Sequence, residues 1–251
     1  MSEAKPLALV TGGMRRLGAA IAARLAKAGY DLAISSHVDG APDTVLGDAI
    51  DQNGTNWHSF IADLADPVAP AKLVADVTSH FGRAPDLLVN NAAIFGQDDW
   101  TAMDAATLDA HFRLNTFAPV LLSQELVKVA PGQIAIVHIL DQRIANPHLD
   151  QISYTLSKQA LAASVNTMAT AFGAKARVNA IAPGLVIVTE DYTTGQAERL
   201  ATMMPLGALP DPDGIADAVL YLASARHVTG QTIFVDGGAH LKSFERDFIH
   251  L

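Results

Sequence analysis

Tyr154 and Lys158 stand four residues apart in Ser153-Tyr-Thr-Leu-Ser-Lys-Gln-Ala-Leu161, a segment whose apolar spacing predicts a helix. Side chains at i and i+4 leave one helical face together, so the phenol and the ammonium are expected side by side. A free tyrosine has a pKa of about 10 and gives up its proton sluggishly near neutrality. A neighbouring ammonium favours the phenolate and draws the proton-transfer pKa towards the working range. The pair reads as a proton donor with its tuning cation, although a snorkelling lysine beside a half-buried ring satisfies the same spacing.

A second chemical feature lies at the N-terminal end, in Thr11-Gly12-Gly13-Met14-Arg15-Arg16-Leu17-Gly18, where an apolar run gives way to a helix. Glycines in such a turn let the backbone approach a pyrophosphate, and the helix start offers it unpaired N–H groups and a positive dipole end. An ordinary tight turn would also carry glycines. Two arginines at a helix N-terminus oppose its dipole, which calls for an anion unless both simply face solvent. Dinucleotide folds that take NAD place an acidic residue at the end of the second strand, for the adenosine ribose. Here that place falls near Ser36, followed by His37. Serine does not repel a 2′-phosphate, and Arg15 with His37 would bind one through charge-assisted hydrogen bonds. NADPH is therefore the expected cofactor, with NADH as the alternative if Asp39 turns back to the ribose.

These residues need a scaffold, and the chain supplies seven short apolar runs at 7–10, 32–34, 57–61, 87–89, 134–140, 176–181 and 232–235. Amphipathic stretches separate them: Leu17, Ile21 and Leu25 fall at i, i+4 and i+8, and Leu73, Val74 and Val77 share a helical face. Alternation of this kind predicts an α/β, Rossmann-type doubly wound fold, a seven-stranded parallel sheet flanked by helices. No repeat or Pro/Ser-rich linker interrupts residues 1–251, so one domain is expected. Residues 185–212 are the least regular, directly after a strand, where a substrate loop would sit. Phe244, Phe248 and Ile249 in the tail 239–251 have the spacing of an apolar helical face, suited to a subunit contact or a neighbour's active site if the end does not fray.

Composition excludes several classes. Against 26 Asp and Glu there are 17 Lys and Arg, a net charge of −9, and no basic stripe for a nucleic acid. Cysteine is absent, so neither a disulfide nor a thiolate enters the chemistry. The nine histidines are scattered without ligand spacing, and no metal is assigned; His138 reads as a strand residue facing the sheet. The N-terminal apolar run is too short for a signal peptide or a membrane span, and a cytoplasmic protein is expected.

Taken in order, the Thr11-Gly12 turn, Asp63-Leu64, Asn90-Asn91-Ala92, Asn115, Tyr154-x-x-x-Lys158, Pro183-Gly184 and Val235-Asp236-Gly237-Gly238 resemble the short-chain dehydrogenase/reductase family over nearly the whole chain. The resemblance implies a homo-oligomer, usually a tetramer. It also implies a cofactor groove with Asp63 and Leu64 near the adenine, lined by Asn91 and Ala92. Lys158 would hold the nicotinamide ribose, supported through water by a catalytic Asn115.

Two departures narrow the resemblance. Most members carry a serine 13 residues before the tyrosine, where this chain has Asp141, and a glycine where it has Arg16. Both features resemble the pteridine reductase branch, whose turn reads Thr-Gly-x-x-x-Arg-x-Gly and whose site uses Asp, Tyr and Lys. Phe95 in Asn-Asn-Ala-Ala-Ile-Phe corresponds to the ring that stacks a pterin there, and Pro183-Gly184-Leu185 followed by Thr189-Glu190-Asp191 resembles that branch's substrate loop. An ionised carboxylate beside the tyrosine raises its pKa and repels a developing alkoxide, so Asp141 serves a ketone poorly. A pterin offers N–H donors, takes its proton on a ring nitrogen, and presents a flat face to Phe95 and a polar edge to Arg16. The bland alternatives are a turn cap for Asp141 and a core position for Phe95. The rival functions are a carbonyl or 3-oxoacyl-thioester reductase or alcohol dehydrogenase of the same family, and a nucleotide-binding regulator without turnover.

Overall fold

The computed structural model describes residues 5–190 and 192–251. Each of the seven apolar runs forms a strand: β1 (Leu7–Thr11), β2 (Asp31–Ser36), β3 (Trp57–Ile61), β4 (Leu87–Asn90), β5 (Ile134–Ile139), β6 (Ala176–Pro183) and β7 (Thr232–Val235). All pair in parallel, in the order β3-β2-β1-β4-β5-β6-β7. Strands β1, β4, β5 and β6 are buried at every residue; β1, β4 and β5 are mostly apolar as a result, whereas β6 also buries Arg177 and Asn179, which donate to the carbonyls of Leu222, Ala223 and Val228.

The helices are α1 (Arg16–Lys27), α2 (Thr44–Asn53), α3 (Ala69–Phe81), α4 (Ala105–Phe112), α5 (Ala118–Val129), α6 (Ile152–Phe172), α7 (Gln196–Met203) and α8 (Pro212–Ser224). They cover both sheet faces. On one, Ile21, Leu25 and Leu46 join Val219 and Leu222; on the other, Leu73 and Val77 join Leu122, Leu126 and Val165. The chain runs outward from β1 to β3, then returns to lay β4 on the other side of β1. The strand order therefore reverses between β1 and β4, and the crevice beyond their carboxyl ends is where such sheets bind ligands.

Two expectations need correction. Residues 185–212 are not simply irregular, because they contain α7, whose Leu200 is buried against Met204, Ala239, Phe244 and Phe248. The tail forms no amphipathic helix either. It has only short 3-10 turns at Ala239–Leu241 and Phe248–His250, with the rings of Phe244 and Phe248 packed edge to face at 5.0 Å. It folds onto its own chain: Gln196 Nε2 donates to the carbonyls of Phe248, Ile249 and Leu251.

Candidate active site

The turn after β1 is built around close approach. Gly12 has φ +61°, and a Cβ on Gly18 would lie 2.1 Å from the Gly12 carbonyl oxygen, so α1 can start this near the turn only with glycine there. Asn91 ties the end of β4 to the turn, its Nδ2 donating to the carbonyls of Thr11 and Gly12, while Thr11 Oγ1 accepts from the N–H groups of Asn91 and Ala92. Arg16 is left-handed at φ +54°, a costly conformation for a residue with a Cβ, and its N–H donates to Asp43 Oδ2 at 2.6 Å. Asp43 thus meets part of the positive end of α1.

A cavity of about 620 Å³ opens over this turn. It is bordered by Gly12, Arg15, Arg16 and Leu17 from the turn, by Ser36, His37, Asp63 and Leu64 from the ends of β2 and β3, and by Asn91 and Ala92 after β4. Arg15 and His37 also edge a smaller hollow with Asp39. Asp39 Oδ1 accepts from Gly40 N–H within its own loop, and Ser36 Oγ donates to Val38 O. His37 Nδ1 lies 3.8 Å from Asp63 Oδ1.

A second cavity of about 860 Å³ adjoins the first, and Arg16, Leu17 and Asn91 border both. Phe95, Asp141, Tyr154 and Lys158 face it, as do Pro183, Gly184 and Leu185 from the end of β6. Thr189 and Glu190 also reach it, while Asp191 lies outside the described residues. Phe95 is half exposed at this cavity rather than in the core, its ring edge-on to Tyr154 with centroids 4.8 Å apart.

Tyr154 sits in the first turn of α6 and its Oη donates to Asp141 Oδ2 at 3.1 Å. Asp141 follows β5 and also caps the 3-10 turn Gln142–Ile144, Oδ1 accepting from Arg143 N–H, so the capping role and the contact with tyrosine coexist. Burial and then the Asp141 charge hold the Tyr154 phenol well above its ordinary value near 10. The cation that opposes this is Arg143, 5.5 Å from the ring centroid. Lys158, the expected tuning cation, stands at a similar distance from the ring. Lys158 Nζ lies 5.8 Å from the ring centroid and donates to Ile139 O at 2.7 Å, the carbonyl at the end of β5. Burial pushes Lys158 down to about 8.

Asn115 is fully buried in a π-helical turn, Arg113–Phe117, between α4 and α5. Its Oδ1 accepts from Ile94 N–H and its Nδ2 donates to Ile94 O and Ser157 Oγ. The amide thus grips the segment leading to Phe95 and the helix carrying Tyr154, rather than Lys158 directly. His138 is fully buried on β5 with Nδ1 3.1 Å from Asn90 Nδ2.

Sequence reasoning passed over Arg143 and Asp247, and it expected the tail at a subunit contact or a neighbour's active site rather than at this chain's own cavity. Asp247, Phe248 and Ile249 border the second cavity, and Arg143, only 3% exposed, hydrogen-bonds Asp247 and Gln151. A buried arginine looks like a surface one in a sequence, and Asp247 does not stand out in a tail that also carries Lys242, Glu245 and Arg246.

Residues 12–240 match the family model for enoyl-(acyl carrier protein) reductase. Among solved structures, the alternative dihydrofolate reductase FolM of Brucella canis, in complex with NADP, is 36% identical with a TM-score of 0.86 over 96% of both chains. Among curated relatives, ketoacyl reductase 2 of the granaticin polyketide synthase of Streptomyces violaceoruber is 31% identical over 94% of this chain and 96% of its own. The 3-oxoacyl-[acyl-carrier-protein] reductase FabG of Staphylococcus aureus is 28% identical over 93% and 98%. With its parallel sheet, glycine turn and tyrosine and lysine on α6, the chain belongs to the short-chain dehydrogenase/reductase family of oxidoreductases.

Proposed function

We propose that this protein is an NADPH-dependent reductase of a pterin or folate-like substrate. The observation that carries the reading is the hydrogen bond from Tyr154 Oη to Asp141 Oδ2, with Phe95 beside it at the same cavity. The glycine turn, the start of α1 and Arg15 fit a dinucleotide phosphate, and the turn of Asp39 towards its own loop favours a phosphorylated ribose. The neighbouring FolM structure, an NADP complex, supports the same cofactor and substrate class. NADPH held there would supply the hydride for a carbon of a ring C=N bond. The adjacent nitrogen then needs one proton, which Tyr154 is placed to give with Asp141 in partnership. Asp141 accepts N–H groups of the pterin, Phe95 packs on its face, and Arg16 meets its edge. Lys158 stands where it can turn from Ile139 O towards the nicotinamide ribose.

NADPH oxidation with dihydrobiopterin, dihydromonapterin and dihydrofolate tests the reading, and no turnover of any of them overturns it. The second reading, reduction of a 3-oxoacyl thioester, is favoured by the ketoacyl reductase relatives. An Asp141→Ser variant separates the two. Pterin turnover is expected to vanish, whereas a carbonyl reductase would keep or gain activity. The assembly we expect is a homotetramer, readable by light scattering.

A further inference from the structure

Arg143 is a buried charge that the proposed chemistry leaves unused. Two nearby residues and one from the distant tail hold its guanidinium. Nε lies 3.4 Å from Asp141 Oδ1, Nη1 donates to Gln151 Oε1 and Nη2 to Asp247 Oδ2. Its Cζ is 5.5 Å from the ring centroids of both Phe95 and Tyr154. Gln151 is itself unusual: fully buried, left-handed at φ +53°, and the residue from which α6 departs towards Tyr154. A strained residue of this kind persists only where its surroundings over-determine it, and Arg143 is one of its restraints.

Asp247 is equally well held. Its N–H donates to Asp150, and its Oδ1 accepts from Ile249 N–H, so the carboxylate is fixed where Arg143 meets it. We propose that Arg143 and Asp247 are positioning residues for proton delivery: the tail carboxylate anchors the guanidinium between Asp141 and the Tyr154 ring, so the C-terminal tail sets the charge that the proton donor meets. The other charged and titratable groups around Arg143 are Lys158 behind Tyr154, His148, and Asp150, whose Oδ2 lies 3.7 Å from Arg246 Nε. Asp150 and Arg246 face each other at the rim, which leaves Asp141 and Asp247 as the carboxylates that flank the guanidinium directly.

The consequence has opposite signs at the two residues. A cation near the phenol favours its ionised form and an anion disfavours it. Removing Arg143 therefore makes Tyr154 a weaker acid, and removing the Asp247 charge makes it a stronger one. During reduction the donor must start protonated, so activity falls as pH rises through the donor's pKa.

This inference rests on Tyr154 as donor but not on the pterin. The test is the pH profile of kcat with whichever substrate the parent reduces, for Asp247→Asn, Arg143→Met and Arg143→Lys. The alkaline limb is expected to move down by on the order of one pH unit in Asp247→Asn and up by a similar amount in Arg143→Met, each about tenfold in rate on that limb. Arg143→Lys, which keeps the charge and loses the fork, should return the limb to the parent position. A purely structural role would lower activity in both charge-removing variants without opposite shifts, and that result, or unmoved limbs, overturns the proposal. If Arg143→Met does not fold, Asp247→Asn and Arg143→Lys decide alone, since asparagine retains the acceptor for Ile249 N–H. A substrate-free readout is the ultraviolet phenolate signal lost in Tyr154→Phe, titrated in the NADP-saturated protein. It should move to lower pH in Asp247→Asn, and a fixed signal counts against the proposal even if no pterin is turned over.

Discussion

A tyrosine that hydrogen-bonds a carboxylate in a buried site is a weaker acid than a free one, and Tyr154 has that partner in Asp141. Such a donor suits an acceptor that grows basic as it takes the hydride, as a ring nitrogen does, better than one that must be stabilised as an alkoxide. Tyr154→Phe should lower kcat by about 100-fold or more while KM for the cofactor moves little, as steady-state kinetics would show. Asp141→Asn removes the charge that raises the phenol, so its alkaline limb should fall to lower pH; a limb that stays put would separate Asp141 from the proton. At this scale the sequence was informative where a residue type carries its own chemistry. Asp141, Tyr154 and Phe95 gather at one cavity, with Arg16 bordering it. It was silent on Arg143, because the significance of that residue lies in a contact 104 positions away with Asp247. The i, i+4 spacing of Tyr154 and Lys158 was real, yet spacing fixes which face two side chains share and not what each bonds. The open carbonyl of Ile139 decided that for Lys158.

Elements were legible in proportion to how their burial imprints on the chain. A strand covered on both faces is mostly apolar, and so β1, β4 and β5 announce themselves, whereas β6 carries a buried Arg177 and Asn179 among its apolar residues. Helix α7 was missed although Leu200 and Met204 share a face, because it is short and one of its buried anchors, Gln196 bonding the tail's carbonyls, is polar. The π-helical turn that sets Asn115 facing Ile94 leaves no trace in periodicity either. At the start of α1 the motif was visible but its backbone was not: Arg16 occupies a left-handed conformation that glycine would adopt freely. Arg16→Gly is therefore expected to keep the turn and relieve more strain than the added freedom of the unfolded chain costs, raising stability by about 1 kcal/mol in urea unfolding. Its cost should appear in function, as a higher KM for NADPH and for the pterin, because the lost side chain borders both cavities. A variant with unchanged KM values would show that Arg16 serves the turn alone.

For the molecule as a whole, placing a titratable group at the centre of a parallel sheet makes stability depend on pH. His138 lies fully buried on β5, with Asn90 of the neighbouring strand at Nδ1, and burial, aided by the charge of Lys158, pushes its pKa down to about 3. The folded protein keeps this imidazole neutral, whereas the unfolded chain protonates it below about 6.5. Between those values the unfolded state binds the extra proton, so stability is full above pH 6.5 and drains away as pH falls towards 3. Lys158, pushed down to about 8, acts in the same sense at higher pH: its buried charge weighs on the fold below 8, and that cost fades as pH rises from 8 towards the unfolded value near 10.4. Together they place the most stable range of the cofactor-free protein on the alkaline side of neutrality. For His138 alone, a fall from pH 6.5 to 4.5 should remove about 2 kcal/mol, a large share of the 5–15 kcal/mol typical of a folded domain. His138→Gln keeps a hydrogen-bonding side chain beside Asn90 and does not titrate. Urea unfolding of parent and variant at the two pH values isolates the histidine, because the remaining carboxylates titrate alike in both. The variant is expected to lose about 2 kcal/mol less than the parent over that interval; an equal loss would mean that His138 gains its proton without unfolding the sheet.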